Sequence, residues 1–350
     1  MVNYLGGNII EGSSTLTEAP PATSWKELGR TTLSSTGDAI NVSNFAAKDN
    51  IMILQHGIPS GNISSRLRFN SDTGSNYAQR GNRNGGSDAT GGSRDNVSFS
   101  LNPGNASDEW LIATVTNKAD KEKLWISHGI DGTQGANQDP NSTEVVGKWA
   151  NTSAQITTVN VYHSEGGDYA VGSECVVLGY DNDEADSGTN FWQELASVEL
   201  TSAGDVLDTG TFTAKKYLMM EWQTSPTGGT TDDIKCHFNA DSGSNYSYSR
   251  QVDGATGEAF TSTANFRIDA GNGVYERDGH AYIINKANRE KFVIAEEVAS
   301  NTAGAGNIPR RFETFGKWAN TSDQITRIQL TNQGSGDFKS GAYLKVWGSD

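Results

Sequence analysis

The sequence is poor in cysteine: Cys175 and Cys236 are the two thiols, too few for a disulfide framework. Nowhere does the chain approach the ~18 consecutive apolar residues of a membrane-spanning helix, so no helical membrane insertion is expected. Basic residues are outnumbered, 27 Lys and Arg against 42 Asp and Glu, for a net charge of −15. That balance argues against nucleic acid or an anionic membrane surface as partner, because both attract surplus Lys and Arg. Met1 to Thr23 contains no Lys, no Arg and no apolar block. The segment is therefore not read as a secretory signal, and synthesis in a cytoplasm is the expectation.

Chemistry-bearing motifs are missing as well. The chain has no His-Glu-x-x-His, no Gly-x-Ser-x-Gly, no phosphate-binding glycine loop and no paired Cys-x-x-Cys. His56, His128, His163, His237 and His280 stand apart from one another in sequence. Carboxylates abound, but a glycosidase needs two of them held ~5–10 Å apart in a cleft, which sequence alone does not show. The expectation is a protein that is not an enzyme.

What the chain does have is glycine, 40 residues of it, in a background of Ser, Thr, Asn and Asp. It is also written twice. Gly147-Lys148-Trp149-Ala150-Asn151-Thr152-Ser153 returns as Gly316-Lys317-Trp318-Ala319-Asn320-Thr321-Ser322, and both continue into Gln-Ile-Thr after one variable residue. Asp72-Thr73-Gly74-Ser75-Asn76-Tyr77 returns as Asp241-Ser242-Gly243-Ser244-Asn245-Tyr246, Asn117-Lys118-Ala119 as Asn285-Lys286-Ala287, and Trp25-Lys26-Glu27-Leu28 as Trp192-Gln193-Glu194-Leu195. The spacing far exceeds the ~20–50 residues of a solenoid unit, so each copy is a whole domain. The expected organisation is an irregular N-terminal arm at 1–23, copy one at 24–181, an acidic linker at 182–191 and copy two at 192–350.

Within each copy the pattern is β. Arg66-Leu67-Arg68-Phe69 and its counterpart Lys235-Cys236-His237-Phe238 alternate as half-buried strands do. Ile51–Leu54, Leu218–Met220, Val176–Leu178 and Leu344–Trp347 are short apolar runs, and Ile156–Val161 and Ile325–Leu330 are β-branched strands. Turn-forming Gly, Asn, Asp and Ser separate them. Roughly eight strands per copy predicts an all-β protein of two tandem antiparallel β-sandwich domains, jelly-roll-like in form. The repeat places Cys175 opposite Leu344 and Cys236 opposite Leu67, so both thiols are expected as buried small hydrophobes.

The candidate ligand or interface residues lie in the repeated loop: Asp72, Asn76 and Tyr77 in copy one, Asp241, Asn245 and Tyr246 in copy two. A strand ends, Asn-x-Asp-x-Gly turns, and Tyr starts the return. Alternate Asp and Asn oxygens suit a calcium ion or a sugar hydroxyl, although one Asp per loop is fewer than calcium usually takes; an Asx-type turn anchored by the Tyr is the structural reading. Asp181–Gly188 looks like a calcium loop but has its Gly at the eighth position rather than the sixth. Gly37-Asp38 and Gly167-Asp168, with their counterparts Gly204-Asp205 and Gly336-Asp337, read as turns before strands. No cofactor is expected. Trp110 and Trp222, each present in one copy, are candidates for stacking on sugar rings if exposed, and for core or interface residues if not.

Trp-x-Glu-Leu (Trp25–Leu28, Trp192–Leu195), Gly-Asp (Gly37-Asp38, Gly204-Asp205), Phe-Asn-x-Asp-x-Gly-Ser-Asn-Tyr (Phe69–Tyr77, Phe238–Tyr246) and the terminal Trp347-Gly348 together resemble a domain recurrent in structural proteins of marine tailed bacteriophages. The resemblance covers both copies and carries no catalytic residue. It implies a lectin-like or jelly-roll virion protein, assembled in the host cytoplasm: a capsid decoration, a knob, or a tail-fibre component. The partners it implies are other virion proteins and further copies of the chain in a homo-oligomer, with the N-terminal arm adding strands to a neighbour's sheet edge. A carbohydrate- or receptor-binding module for host-surface glycans is the alternative, and a polysaccharide-degrading enzyme a third.

Overall fold

A computed structural model describes residues 2–5, 8–11, 25–101, 106–163, 165–181, 190–227, 234–255, 257–269, 275–300 and 304–350. Most of the expected linker, 182–189, and the stretch 12–24 of the arm lie outside them. No helix occurs among the described residues. Near the N-terminus, β1 (Val2–Leu5) and β2 (Asn8–Glu11) pair antiparallel. The composition of the arm predicts irregular structure; these two segments of it form a ladder instead.

Copy one then runs through β3 (Lys26–Thr32), β4 (Ala39–Val42), β5 (Asn50–Gly57), β6 (Ser65–Phe69), β7 (Tyr77–Arg83), β8 (Ala89–Arg94), β9 (Val97–Ser98), β10 (Glu109–Thr116), β11 (Lys123–Asp131), β12 (Asn141–Trp149), β13 (Val159–His163) and β14 (Glu174–Tyr180). Eight of these form one sheet in the order β3-β14-β5-β10-β11-β12-β7-β8, and four form a second in the order β4-β13-β6-β9. Copy two has β15 (Gln193–Glu199), β16 (Val206–Asp208), β17 (Tyr217–Thr224), β18 (Ile234–Phe238), β19 (Tyr246–Val252), β20 (Glu258–Thr263), β21 (Phe266–Arg267), β22 (Arg277–Ile284), β23 (Lys291–Ala299), β24 (Arg310–Trp318), β25 (Ile328–Asn332) and β26 (Tyr343–Ser349). Its sheets, β15-β26-β17-β22-β23-β24-β19-β20 and β16-β25-β18-β21, repeat the first pair strand for strand. Each copy is thus an antiparallel sandwich of eight strands and four, a wider and less even division than the eight-strand jelly roll expected.

The core lies between the two sheets of each sandwich. In the first it takes Ile40, Leu67, Phe69 and Val161 from the short sheet and Ile53, Leu111, Trp125 and Val177 from the long one. In the second it takes Leu207, Cys236, Phe238 and Leu330 against Met220, Trp222, Ile283 and Val346. β6 and β18 bury every second residue, as their alternation requires. Cys175 and Cys236 are buried free thiols.

The described chain divides into two compact units. One holds Met1–Gly81, Asp88–His128 and Glu144–Trp192; the other holds Asn82–Ser87, Gly129–Thr143 and Gln193–Asp350. Two turns of copy one, including the β11–β12 loop, therefore belong to the second unit.

The strands read from Ile156 and Ile325 begin three residues later than their composition predicts. Side chains intercept the backbone first. Asn117 Oδ1 accepts the Ile156 N–H at 2.7 Å, and Asn70 Oδ1 accepts those of Thr157 and Thr158 at 2.9 and 3.0 Å. Asn285 and Asn239 do the same for Ile325, Thr326 and Arg327. Amides satisfied by side chains are withdrawn from the ladder.

Candidate functional site

The repeated loop folds onto itself. Asp72 Oδ1 accepts the Gly74 N–H at 2.8 Å, and Oδ2 accepts Asn76 Nδ2 at 2.8 Å and Trp149 Nε1 at 2.7 Å. The Tyr77 hydroxyl accepts the Phe69 N–H at 2.9 Å and points at the Phe69 and Asp72 carbonyls. Asp241, Asn245, Tyr246 and Trp318 repeat this set. Partial burial raises the Asp72 carboxyl, but the donated bonds from Trp149, Asn76 and Gly74 outweigh it and hold its pKa below the ordinary value; Asp241 is held down in the same way. Three protein N–H groups thus spend both carboxylate oxygens on an Asx-type turn pinned to the core by a Trp. The motif that looked most like a ligand loop is a structural staple.

Trp110 and Trp222 are fully buried. Trp222 donates Nε1–H to Glu297 at 3.0 Å within the second sandwich. Neither ring faces solvent, so neither supplies a sugar-stacking platform.

Asp38 and Asp168 do come together. With His163 they bring ligand atoms within 4.8 Å of one another. A hydrogen bond from Asp38 pushes the Asp168 carboxyl up, and Asp337 does the same to Asp205. Asn332 replaces His163 in the second copy, so the trio is not repeated. These carboxylates sit beside the turns that enter β4 and β16, where Gly37 bridges Tyr169 and Gly204 bridges Phe338.

The feature that sequence reasoning missed is the outer face of the first eight-stranded sheet, the side away from the short sheet. Leu124, Ile126 and Val146 stand there 55%, 54% and 46% exposed, apolar side chains grouped on a face that such sheets usually line with polar ones. They line an open groove of about 740 Å³ together with Thr114, Thr116 and Lys148. Trp25 and Tyr180 stand edge to face at 4.8 Å at its margin. Glu122 and Lys148 form an ion pair at 2.9 Å beside it, with both side chains about two-fifths exposed. Lys123-Leu124-Trp125-Ile126 reads in sequence as a strand buried on both sides. The structure buries Lys123 and Trp125 and leaves Leu124 and Ile126 outside. The Lys123 ammonium survives burial by donating to the Lys121 and Asn151 carbonyls at 2.8 Å each.

No family model matches the chain, and no curated protein matches it. Among solved structures it is similar to the LG4-5 domains of the mouse laminin α1 chain, at 8% identity over 94% of this chain and 92% of that one. The TM-score of 0.19 is too low for that likeness to carry a fold or a function across.

Proposed function

We propose that the protein is a non-enzymatic structural component of a phage particle, on the capsid exterior or in the tail, and that it works by binding other protein subunits. The exposed apolar face of Leu124, Ile126 and Val146 carries this reading. Contiguous apolar side chains on a sheet face cost solubility unless a partner covers them. The chain resemblance in the Trp-x-Glu-Leu and Phe-Asn-x-Asp motifs supports the virion assignment. The acidic composition and the hydrogen bonds that the repeated loops make within themselves are compatible with this reading.

Immunogold electron microscopy of particles purified from the source culture tests the assignment. Regular labelling of the particle surface or tail is expected; particles that carry no label would overturn it. A second reading has one observation in its favour: the Trp25–Tyr180 pair at the groove margin, beside the hydroxyls of Thr114 and Thr116, resembles the aromatic-plus-polar edge on which sugar rings stack. Binding on a glycan array that disappears in Trp25→Ala would move the assignment to a glycan-binding module.

A further inference from the structure

We propose that copies of this chain link head to tail, the turn at residues 304–309, ahead of β24, of one molecule seating on the outer face of the first eight-stranded sheet of the next. The inference rests on the protein-contact reading above and names the partner. The second compact unit already contains such a seating. There the β11–β12 loop, part of that unit, meets the outer face of the β22-β23-β24-β19 region. The Gly135 N–H donates to Glu290 Oε1 at 2.6 Å, the Lys317 ammonium donates to the Thr133 carbonyl, and the Ser262 N–H donates to the Ala136 carbonyl at 2.6 Å. Lys317 and Glu290, 3.5 Å apart, are buried there. On the same face Phe292, Ile294 and Phe315 are buried although they lie outside the sandwich core.

Every receiving residue has a counterpart on the first sheet. Glu122, Lys148 and Ser93 match Glu290, Lys317 and Ser262 in type and position, and Ser93 and Ser262 share the same left-handed backbone, both at φ 51°. Leu124, Ile126 and Val146 stand where Phe292, Ile294 and Phe315 stand, but in the open. The seated loop has a counterpart too. Gly304-Ala305 matches Gly135-Ala136, with φ 102° against 101° at the glycine. Each turn closes with the same bond, Asn307 N–H to Gly304 O at 3.0 Å and Gln138 N–H to Gly135 O at 3.2 Å. Residues 304–309 are exposed throughout, and Ile308 is 81% exposed.

One loop and one face are joined within the second unit, and an equivalent turn, residues 304–309, and an equivalent apolar face are exposed. The occupant whose shape and hydrogen-bonding groups are already matched to the open face is therefore the exposed loop of a second copy. A loop of one molecule on a face of the next is a heterologous contact, which closes into a ring or runs on as a filament.

Sedimentation velocity of the full chain over a concentration series tests this. The wild type is expected to form a ladder of oligomers. Ile126→Asp or Lys148→Glu removes the face, and Gly304→Pro removes the loop, because proline lacks the donating N–H and cannot take φ near +102°. Each variant alone is expected to associate at least about tenfold more weakly. A mixture of Ile126→Asp with Gly304→Pro is expected to stop at a 1:1 dimer, since between them one good face and one good loop remain. Circular dichroism of each variant checks that it is folded; all three sites are on the surface. A wild type that stays monomeric, or a mixture that forms no dimer, would overturn the proposal. Particles that still label with immunogold in that case leave the virion assignment standing and remove only the head-to-tail contact.

Discussion

Replacing Asn117 by Ala should open the first sandwich at one identifiable place. Asn117 is fully buried between β10 and the chain entering β13. Its Oδ1 accepts the Ile156 N–H at 2.7 Å, and its Nδ2 donates to the Lys48 carbonyl at 2.8 Å and to the Ile156 carbonyl at 3.3 Å. Ile156 is itself fully buried, so water cannot reach its amide without local opening. A buried donor left without an acceptor costs about 1–3 kcal/mol, and the two carbonyls, each with a second lone pair to spend elsewhere, lose less. The expected cost is about 3 kcal/mol, roughly a hundredfold in local opening. Asn285 provides an internal control with the same bonds, 2.6 Å from the Ile325 N–H and 2.9 and 3.0 Å to the Lys215 and Ile325 carbonyls. Hydrogen exchange read by mass spectrometry, on peptides spanning 150–162 and 319–331, separates the two copies in one sample. Asn117→Ala should release the first peptide and spare the second, and Asn285→Ala the reverse. If either variant leaves its own peptide as protected as the wild type, the side chain is not what holds that strand entrance.

Two further outcomes follow from groups already placed. Asp72 and Asp241 are held below their ordinary value of 3.8 by donated hydrogen bonds. A carboxylate with a depressed folded pKa contributes stability that is present above the unfolded value and lost as pH falls through the folded one. Thermal stability should therefore drop below about pH 4, and Asp72→Asn with Asp241→Asn should flatten that drop while lowering stability at pH 7; an unchanged acid limb would refute the assignment. Burial pushes both the Cys175 and Cys236 thiols well up. A thiol-specific chromogenic reagent should find neither thiol in the native protein and both after unfolding, and rapid native labelling would contradict their burial.

Much of the fold was legible because duplication doubles every signal. The alternation of Arg66–Phe69 and Lys235–Phe238, the matched Trp149 and Trp318, and the paired thiol positions each point inward in both copies. Strand entrances were misread because Ile156 and Ile325 have β-branched neighbours but hand their amides to Asn117 and Asn285, residues more than 38 positions away in sequence. The loop of Asp72 and Tyr77 stands out in the sequence by its repetition, and its side-chain bonds hold a turn. The exposed face was hidden because a strand with apolar residues on both sides looks the same whether one side meets a partner or the protein's own core. The contrast between Leu124 and Phe292, Val146 and Phe315, is visible in the sequence only as a conservative exchange between copies.

The two cores diverge in their buried polar groups, and one of those differences predicts a pH response in the second sandwich. Arg277 is fully buried with Asp269 at 3.1 Å and Glu297 at 3.2 Å, Arg267 pairs with Asp269 from the other side at 3.5 Å, and Trp222 donates to Glu297. Two guanidiniums face the two carboxylates, but Glu297 has lost its water, and that burial is the largest influence on it and favours its protonated form. Burial pushes Glu297 up to about 8; Arg277 pulls it down and Asp269 pushes it up again. A folded pKa raised above the unfolded one means stability that is complete below the ordinary value of 4.5 and lost as pH climbs through about 8. Gly129 occupies the matching position in copy one, so this carboxylate has no counterpart there. Exchange protection of peptides from β22 and β23, compared at pH 6 and pH 9 after correction for intrinsic rates, should fall with pH. Glu297→Gln keeps the shape and an acceptor for Trp222 but cannot ionise, and it should abolish the difference. If that variant keeps the full pH dependence, the proton resides elsewhere in the second sandwich and the charge argument fails.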